Sequence, residues 1–126
     1  MRIVNETQLE AVLAALPPEG VGVPVDGSSD YAWLDEEMMK AGSLRHGEVD
    51  WQGAEARAVR LLSEEGKDLQ VLGHLLHCLQ QGGDGVRFTL SLRLLAGSIA
   101  QWWEHAYPYA GGPSSAAAIR SDLLPK

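Results

Sequence analysis

The residues best suited to metal chemistry are two histidines and the single cysteine, all within one predicted helix. His74, His77 and Cys78 fall between positions 74 and 78, and side chains three or four apart on a helix can converge on zinc. The helical period separates them, because Cys78 belongs to an apolar row and both histidines belong to a polar stripe. For the same reason His77 is badly placed to activate Cys78 as a nucleophile. With no Cys-x-x-Cys or second His pair in the sequence, we predict no metal and no cofactor.

Carboxylates and glycines suggest two other kinds of reactive site, and neither is favoured. A hydrolase with two carboxylates could be drawn from Asp35, Glu36, Glu37 and Glu48. Acids near helix N-termini more often stabilise the helix dipole and keep the surface soluble. The glycines at 82, 83 and 85 lack the preceding strand and the following lysine of a phosphate-binding loop. The sequence therefore predicts a protein that is not an enzyme.

The charge and composition of the chain limit the classes of partner that it is expected to bind and the cellular compartment that it suits. The 126 residues suit one domain with one core. The net charge is −7, and residues 1–50 carry ten acids against three bases, whereas residues 51–126 carry seven of each. A chain without a concentrated basic face is not expected to grip nucleic acid. A single cysteine excludes an intramolecular disulfide and suits a reducing compartment.

Two further features of the sequence favour a cytoplasmic location. The N-terminus reaches a charge before an apolar run of signal length can form. The most apolar stretch, residues 90–103, contains Arg93 and is shorter than the roughly 20 residues that cross a bilayer. We therefore predict no direct membrane insertion by this chain.

The first fifty residues predict two short helices joined by an extended connection. Asn5 can cap a helix that ends before Pro17 and Pro18, with an apolar face of Leu9, Val12, Leu13 and Leu16. Residues 19–29 are rich in turn formers, and a brief strand there stays open. Ser29 or Asp30 can cap the second helix, which ends near Gly42. Its core side is expected to hold Tyr31, Leu34 and Met38, with Asp35, Glu36 and Glu37 facing water.

Residues 50–81 predict an αα-hairpin. Asp50 can cap a helix that starts at Trp51 and ends at Gly66, which is expected in the left-handed conformation. Asp68 can cap the following helix, and Lys67 would lie over the carbonyls at the end of the preceding one. So short a connection makes the two helices antiparallel neighbours. The second helix is expected at the centre of the domain, because it carries two adjoining apolar rows: Leu69, Leu72, Leu76, Leu79, and Val71, Leu75, Cys78.

A long helix, about residues 86–107, follows the glycine-rich break and ends at Pro108. Its predicted buried row is Phe88, Leu92, Leu95, Ile99, Trp102 and Ala106, with Arg87 and Arg93 lying elsewhere. The fold class is thus a single all-α domain of about five helices. We assign residues 1–110 to this domain and residues 111–126 to a linker and the start of a following region, with an incipient helix from Ser114 or Ser115. The chain is expected to continue beyond residue 126.

Several of these elements together carry a family resemblance. The ordered elements are Asp50, Trp51, Lys67, Asp68, Leu69, Trp103, Tyr107 and Pro108, with Leu61, Leu62, a turn near Gly85 and Leu92 to Leu95 between them. Their order and separation resemble the ImpA N-terminal domain, which opens the TssA-like proteins of the bacterial type VI secretion system. The resemblance is clearest over residues 24–110. The motif residues are expected to be mainly structural, with docking as the alternative for Lys67, Asp68 and the tryptophans.

The resemblance implies a non-enzymatic assembly component. TssA-like proteins associate with the baseplate and the growing tail, where they organise tube and sheath polymerisation, so the implied partners are baseplate, sheath or tube proteins. Their C-terminal part oligomerises, which implies an oligomeric full-length protein, whereas this chain is expected to be a monomer or weak dimer. An accessory branch similar to TagA or VasL, acting at the sheath end or anchored in the membrane, remains an alternative. A small helical metal-binding sensor or hydrolase using His74 and His77 is the rival from another class.

Overall fold

The computed structural model describes residues 3–17, 20–102 and 106. Five α-helices follow one another in these residues: α1 Glu6–Leu13, α2 Ser29–Met39, α3 Trp51–Arg60, α4 Leu69–Gln80 and α5 Gly85–Gln101. Short 3-10 turns cover Lys40–Gly42 and His46–Glu48, and a π turn covers Leu61–Glu65. The described residues contain isolated β-bridges but no β-strand. The prediction of a single all-α domain of about five helices is confirmed.

The helices begin where short polar side chains can satisfy their first N–H groups. Asn5 caps α1, accepting a hydrogen bond from the Gln8 N–H at 3.0 Å, while the Gln8 side chain accepts one from the Asn5 N–H at 3.2 Å. Asp50 and Asp68 cap α3 and α4 as the sequence predicts. The cap of α2 is Ser28, whereas Ser29 or Asp30 was expected. Helix α1 ends at Leu13, several residues before the prolines.

Helices α3 and α4 form the predicted αα-hairpin. The ring of Trp51, at the start of α3, lies 5.2 Å from the ring of His77, near the end of α4. The start of one helix therefore lies beside the end of the other, so the two helices are antiparallel. Helix α4 is central, because it contacts α2, α3 and α5. Both of its apolar rows are buried: Leu69, Leu72, Leu76, Leu79, and Val71, Leu75, Cys78.

The prediction of a left-handed Gly66 is wrong. Gly66 is extended, with φ −167° and ψ 150°, and pairs in an antiparallel bridge with Gly22. A Cβ atom at Gly66 would collide with the carbonyl oxygen of Val23. Glycine is therefore required here for close backbone approach, which ties the connection between α1 and α2 to the end of the π turn.

Helix α5 buries a different face from the one predicted. Phe88, Leu92 and Ile99 are 47%, 51% and 43% exposed, and Leu95 is half-buried. The residues of α5 that are buried are Arg87, Leu90, Ser91, Leu94 and Ser98. Only the end of the predicted row, Trp102 and Ala106, is buried as expected. The helix itself ends at Gln101 rather than near residue 107.

Two contacts explain the rotation of α5. Arg87 reaches a buried glutamate on α3, which draws its side of the helix inward. Gly97 lies against Leu13, so closely that a Cβ atom there would crowd that side chain. The orientation of α5 is therefore set by one charge and one close approach, and the most apolar row is left outward.

Candidate functional site

The first motif residues, Asp50 and Trp51, organise the start of α3. The Asp50 carboxylate accepts a hydrogen bond from the Gly53 N–H at 3.0 Å, and the Asp50 N–H donates to Glu37 Oε2 at 2.8 Å. Glu37 is buried, so the expectation that it faces water is wrong. Hydrogen bonds from Lys40 and from the Asp50 backbone lower its pKa. Trp51 is half-buried against His77.

Lys67 lies wholly inside the domain. Its Nζ donates to the carbonyl oxygen of Leu62 at 2.6 Å, as expected for a lysine over the preceding helical turn, and also to that of Val12 at 2.5 Å. The same ammonium lies 5.7 Å from the centre of the Trp102 ring. Burial lowers its pKa from 10.5 to about 8. Lys67 thus joins the end of α1, the π turn and the end of α5.

Asp68 and Leu69 are also internal. Asp68 Oδ1 accepts hydrogen bonds from the N–H groups of Gln70 at 2.8 Å and Val71 at 3.0 Å, and burial raises the pKa of this carboxyl from 3.8 to about 6. Leu69 has no exposed surface. The motif residues from 67 to 69 therefore face the core, where they hold the hairpin to α1, and they present little for a partner to touch. The predictions for Trp103, Tyr107 and Pro108 lie outside the described residues.

A buried ion pair between Glu55 and Arg87 is the polar centre that sequence reasoning missed. Arg87 Nη2 lies 2.6 Å from Glu55 Oε1, and Nη1 lies 3.0 Å from Glu55 Oε2. Arg87 also donates to the carbonyl oxygens of Ile3 at 2.9 Å and Cys78 at 3.1 Å, while the Ile3 N–H donates to Glu55 at 2.6 Å. The hydrogen bond to Glu55 raises the Arg87 pKa. A signal existed, because Glu55 interrupts the helical row that starts at Trp51 and continues through Ala58.

The candidate metal ligands turn apart. His74 Nε2 lies 3.1 Å from Asp35 Oδ1, and burial lowers the His74 pKa. His77 packs on Trp51, and Cys78 is buried, with burial raising its thiol pKa to about 12. Within residues 3–17, 20–102 and 106, no group of three or more His, Cys, Asp or Glu side chains could hold a metal ion.

Two exposed surfaces combine large apolar side chains. The first, here called the α2-end surface, contains Trp33, Glu36, Met39 and Leu44, with Met39 71% exposed and Leu44 fully exposed. It borders an open cavity of about 570 Å³ that Lys40 and Arg45 help to line. The Arg57 guanidinium lies 3.7 Å from the centre of the Trp33 ring, which fixes that ring at the rim.

The second surface is the α5 apolar row, defined as Phe88, Leu92, Leu95 and Ile99. Its members recur at steps of four, three and four residues, so they line one side of the helix. Monomeric proteins seldom leave such a contiguous apolar stripe uncovered.

No helix in the described part of the chain is long and apolar enough to span a bilayer.

Comparison with known protein families shows which family this chain belongs to. The profile of the family described as ImpA, N-terminal, type VI secretion system matches residues 13–124. The chain belongs to this family. The match takes in helices α2 to α5 and extends past Ala106 through most of the remaining sequence. No curated protein and no solved structure gives a significant match. The ImpA N-terminal domain described here is thus a type VI secretion-associated protein.

Proposed function

We propose that this ImpA N-terminal domain is a non-enzymatic assembly component of the type VI secretion system, working in the bacterial cytoplasm through protein–protein contacts. The observation that carries the proposal is the family match over residues 13–124. The partners would be baseplate, sheath or tube proteins. The internal hydrogen bonds of Lys67 and Asp68 support a structural role for the motif within this proposal, with recognition left to other surface residues.

The α2-end surface is the contact face we propose for those partners. Met39 and the acid Glu36 line the same cavity, and the fully exposed Leu44 lies between Ser43 and Arg45, which also line it. Interface cores favour methionine and aromatic anchors within a polar rim. Trp33 is held in place by Arg57, so little side-chain freedom would be lost on binding. The N-terminal excess of acids suits a partner surface that is basic around an apolar pocket.

Binding of the whole chain to purified baseplate, sheath and tube proteins tests the proposal. We expect the double variant Glu36→Lys with Leu44→Ser to weaken binding by about tenfold or more, as loss of an interface anchor does. Glu10→Lys with Val4→Ser is the matched control. Both residues are exposed, and Val4 lies just before α1 whereas Glu10 lies within it. Glu37 is unsuitable for charge reversal because its carboxylate is buried.

The same experiment separates the alternatives. Binding to sheath ends without baseplate binding would support the accessory branch similar to TagA or VasL. No binding to any tail component by the whole chain would contradict the proposal. A zinc titration addresses the sensor or hydrolase: stoichiometric zinc that raises the melting temperature would favour that rival.

A further inference from the structure

The α5 apolar row leaves a continuous apolar stripe on the outside of the domain. Phe88, Leu92 and Ile99 are each close to half exposed, although all three belong to this stripe. Another side of α5, centred on Leu90 and Leu94, is buried in the core. A helix with apolar residues on two sides is typical of one that is packed on both. Within residues 3–17, 20–102 and 106, only one of these two sides is fully packed.

The exposed side of α5 also carries no acid, although the chain has a net charge of −7. The charged residues within the described helix Gly85–Gln101 are Arg87, which is buried, and Arg93, which forms a surface ion pair with α1. Thr89 and Ala96 lie beside the row and are small and uncharged. Two copies that met at this side would bring no acids of α5 together, and the small residues would let the two helices approach closely.

We propose that a second copy of this chain docks on the α5 apolar row, with the two α5 helices antiparallel. The members of the row recur at steps of four, three and four, which is the alternating a and d spacing of a coiled-coil seam. This spacing is symmetric about the point midway between Leu92 and Leu95. In an antiparallel pair Phe88 therefore lies beside Ile99 of the second copy, and Leu92 lies beside Leu95 of the second copy. Each large apolar side chain meets another, as a self-complementary two-fold interface requires.

The size of the row predicts that this dimer is weak. From Phe88 to Ile99 the row is about 17 Å long, and a helix with its side chains is about 10 Å wide. A strip of these dimensions covers well under the ~800 Å² per partner that a standard stable interface buries. We therefore expect a dissociation constant between roughly 10 μM and 1 mM. The row shares no residue with the α2-end surface, so the inference does not depend on the proposed function.

Sedimentation velocity of the whole chain at concentrations from about 10 μM to 1 mM tests for the dimer. Leu92→Glu is expected to raise the dissociation constant by about tenfold or more, because it would bury a carboxylate in the apolar contact. Leu44→Glu is the matched control, since it makes the same change at a fully exposed leucine of the α2-end surface. Leu92 is half exposed, so the variant should keep the fold, which circular dichroism would confirm. An unchanged chain that stays monomeric at the highest concentration, or equal weakening by the two variants, would overturn the proposal.

Crosslinking between two single-site variants tests the antiparallel direction. A mixture of Phe88→Cys and Ile99→Cys is expected to form dimer with a short bis-maleimide about tenfold faster than either variant alone. The reason is that two like cysteines would lie about 17 Å apart along the antiparallel helices, whereas the unlike pair would lie side by side. The native Cys78 is buried and gives little background reaction. Equal rates in the three reactions, or faster product from each variant alone, would contradict the antiparallel pair.

Two other occupants of the row would give different results. If another part of the same chain covers the row, the chain stays monomeric and Leu92→Glu lowers its melting temperature. If a secretion component covers it, the chain is monomeric when alone and Leu92→Glu weakens binding to purified baseplate, sheath or tube proteins. Either result would overturn the proposal that a second copy is the occupant.

Discussion

The ion pair of Glu55 and Arg87 places two opposite charges where almost no water reaches them, with side chains 4% and 6% exposed. Such a pair adds little net stability over well-packed apolar residues, yet removing one partner leaves an uncompensated charge. Glu55 has a further donor in the Ile3 N–H, and Arg87 has two further carbonyl acceptors. Removing one member of the pair is therefore expected to cost more stability than replacing both with well-packed apolar residues.

We expect Arg87→Met to lower the free energy of unfolding by about 3–5 kcal/mol, because Glu55 would stay buried without its cation. Urea denaturation at pH 7 measures the change. Arg93→Met is the control: its side chain is 60% exposed and pairs with Glu6, so about 0–1 kcal/mol is expected. Equal losses in the two variants would contradict the structural role assigned to Arg87.

Asp68 should make stability depend on pH. Its folded pKa of about 6 lies above the ordinary 3.8, so the folded state holds the extra proton between these values. Stability from this group is fully present below pH 3.8 and is lost as the pH rises through 6. Asp68→Asn keeps the cap without titrating. Relative to the unchanged protein, this variant should gain on the order of 2 kcal/mol between pH 4 and pH 7. Parallel urea-midpoint profiles would refute the assignment.

For single residues, helix caps are easier to predict from the sequence than buried ion pairs. Asn5, Asp50 and Asp68 precede periodic apolar residues, and all three serve as caps, because capping is a local interaction. Glu55 and Arg87 meet across 32 residues of sequence. Nothing in the local pattern shows that one charge will find the other, although a glutamate within an apolar helical row is a warning.

Among the structural elements, the connection at Gly66 is tightly constrained. The Lys67 N–H donates to the Val21 carbonyl oxygen at 2.7 Å, and the Val23 N–H donates to the Glu65 carbonyl oxygen at 2.9 Å. Two backbones therefore run side by side at Gly66, with no room for a side chain. This explains why the glycine is required although its φ is not positive.

We expect Gly66→Ala to destabilise the domain by about 1–3 kcal/mol, because the new methyl group forces the paired backbones apart. Gly42→Ala is the matched control. A Cβ atom at Gly42 would meet nothing within 4 Å. Alanine also lowers the conformational entropy of the unfolded chain, so stability should be unchanged or slightly higher. Thermal unfolding followed by circular dichroism compares the two. An equally harmless Gly66→Ala would show that the bridge to Gly22 is easily displaced.

Helix α5 shows where element-level prediction fails. Its start was predictable from the glycine-rich break, but its end at Gln101 and its rotation were not. The row with the most apolar residues, Phe88 to Ile99, was expected inside, whereas Arg87 and Gly97 decide the orientation through contacts with other elements. A helix with two apolar sides has two plausible rotations, and periodicity alone does not choose between them.

For the whole molecule, we expect residues 1–126 to behave as a monomer or weak dimer. The net charge of −7 opposes close association of copies. Sedimentation velocity at several concentrations measures this. A stable large ring from residues 1–126 would contradict the expectation and would place a ring-forming surface within them.

The hydrogen bonds that join Ile3, Glu55 and Arg87 also set when this part of the fold can be completed during synthesis. Arg87 follows Glu55 by 32 residues and Ile3 by 84. At about 5–20 residues per second, the ribosome adds Arg87 roughly two to six seconds after Glu55. During that interval the growing chain contains Glu55 but not the guanidinium that pairs with it. The N-terminal segment at Ile3 therefore gains its contact with Arg87 only after α5 has been synthesised, and a chain that stops before residue 87 would lack the cation that pairs with Glu55.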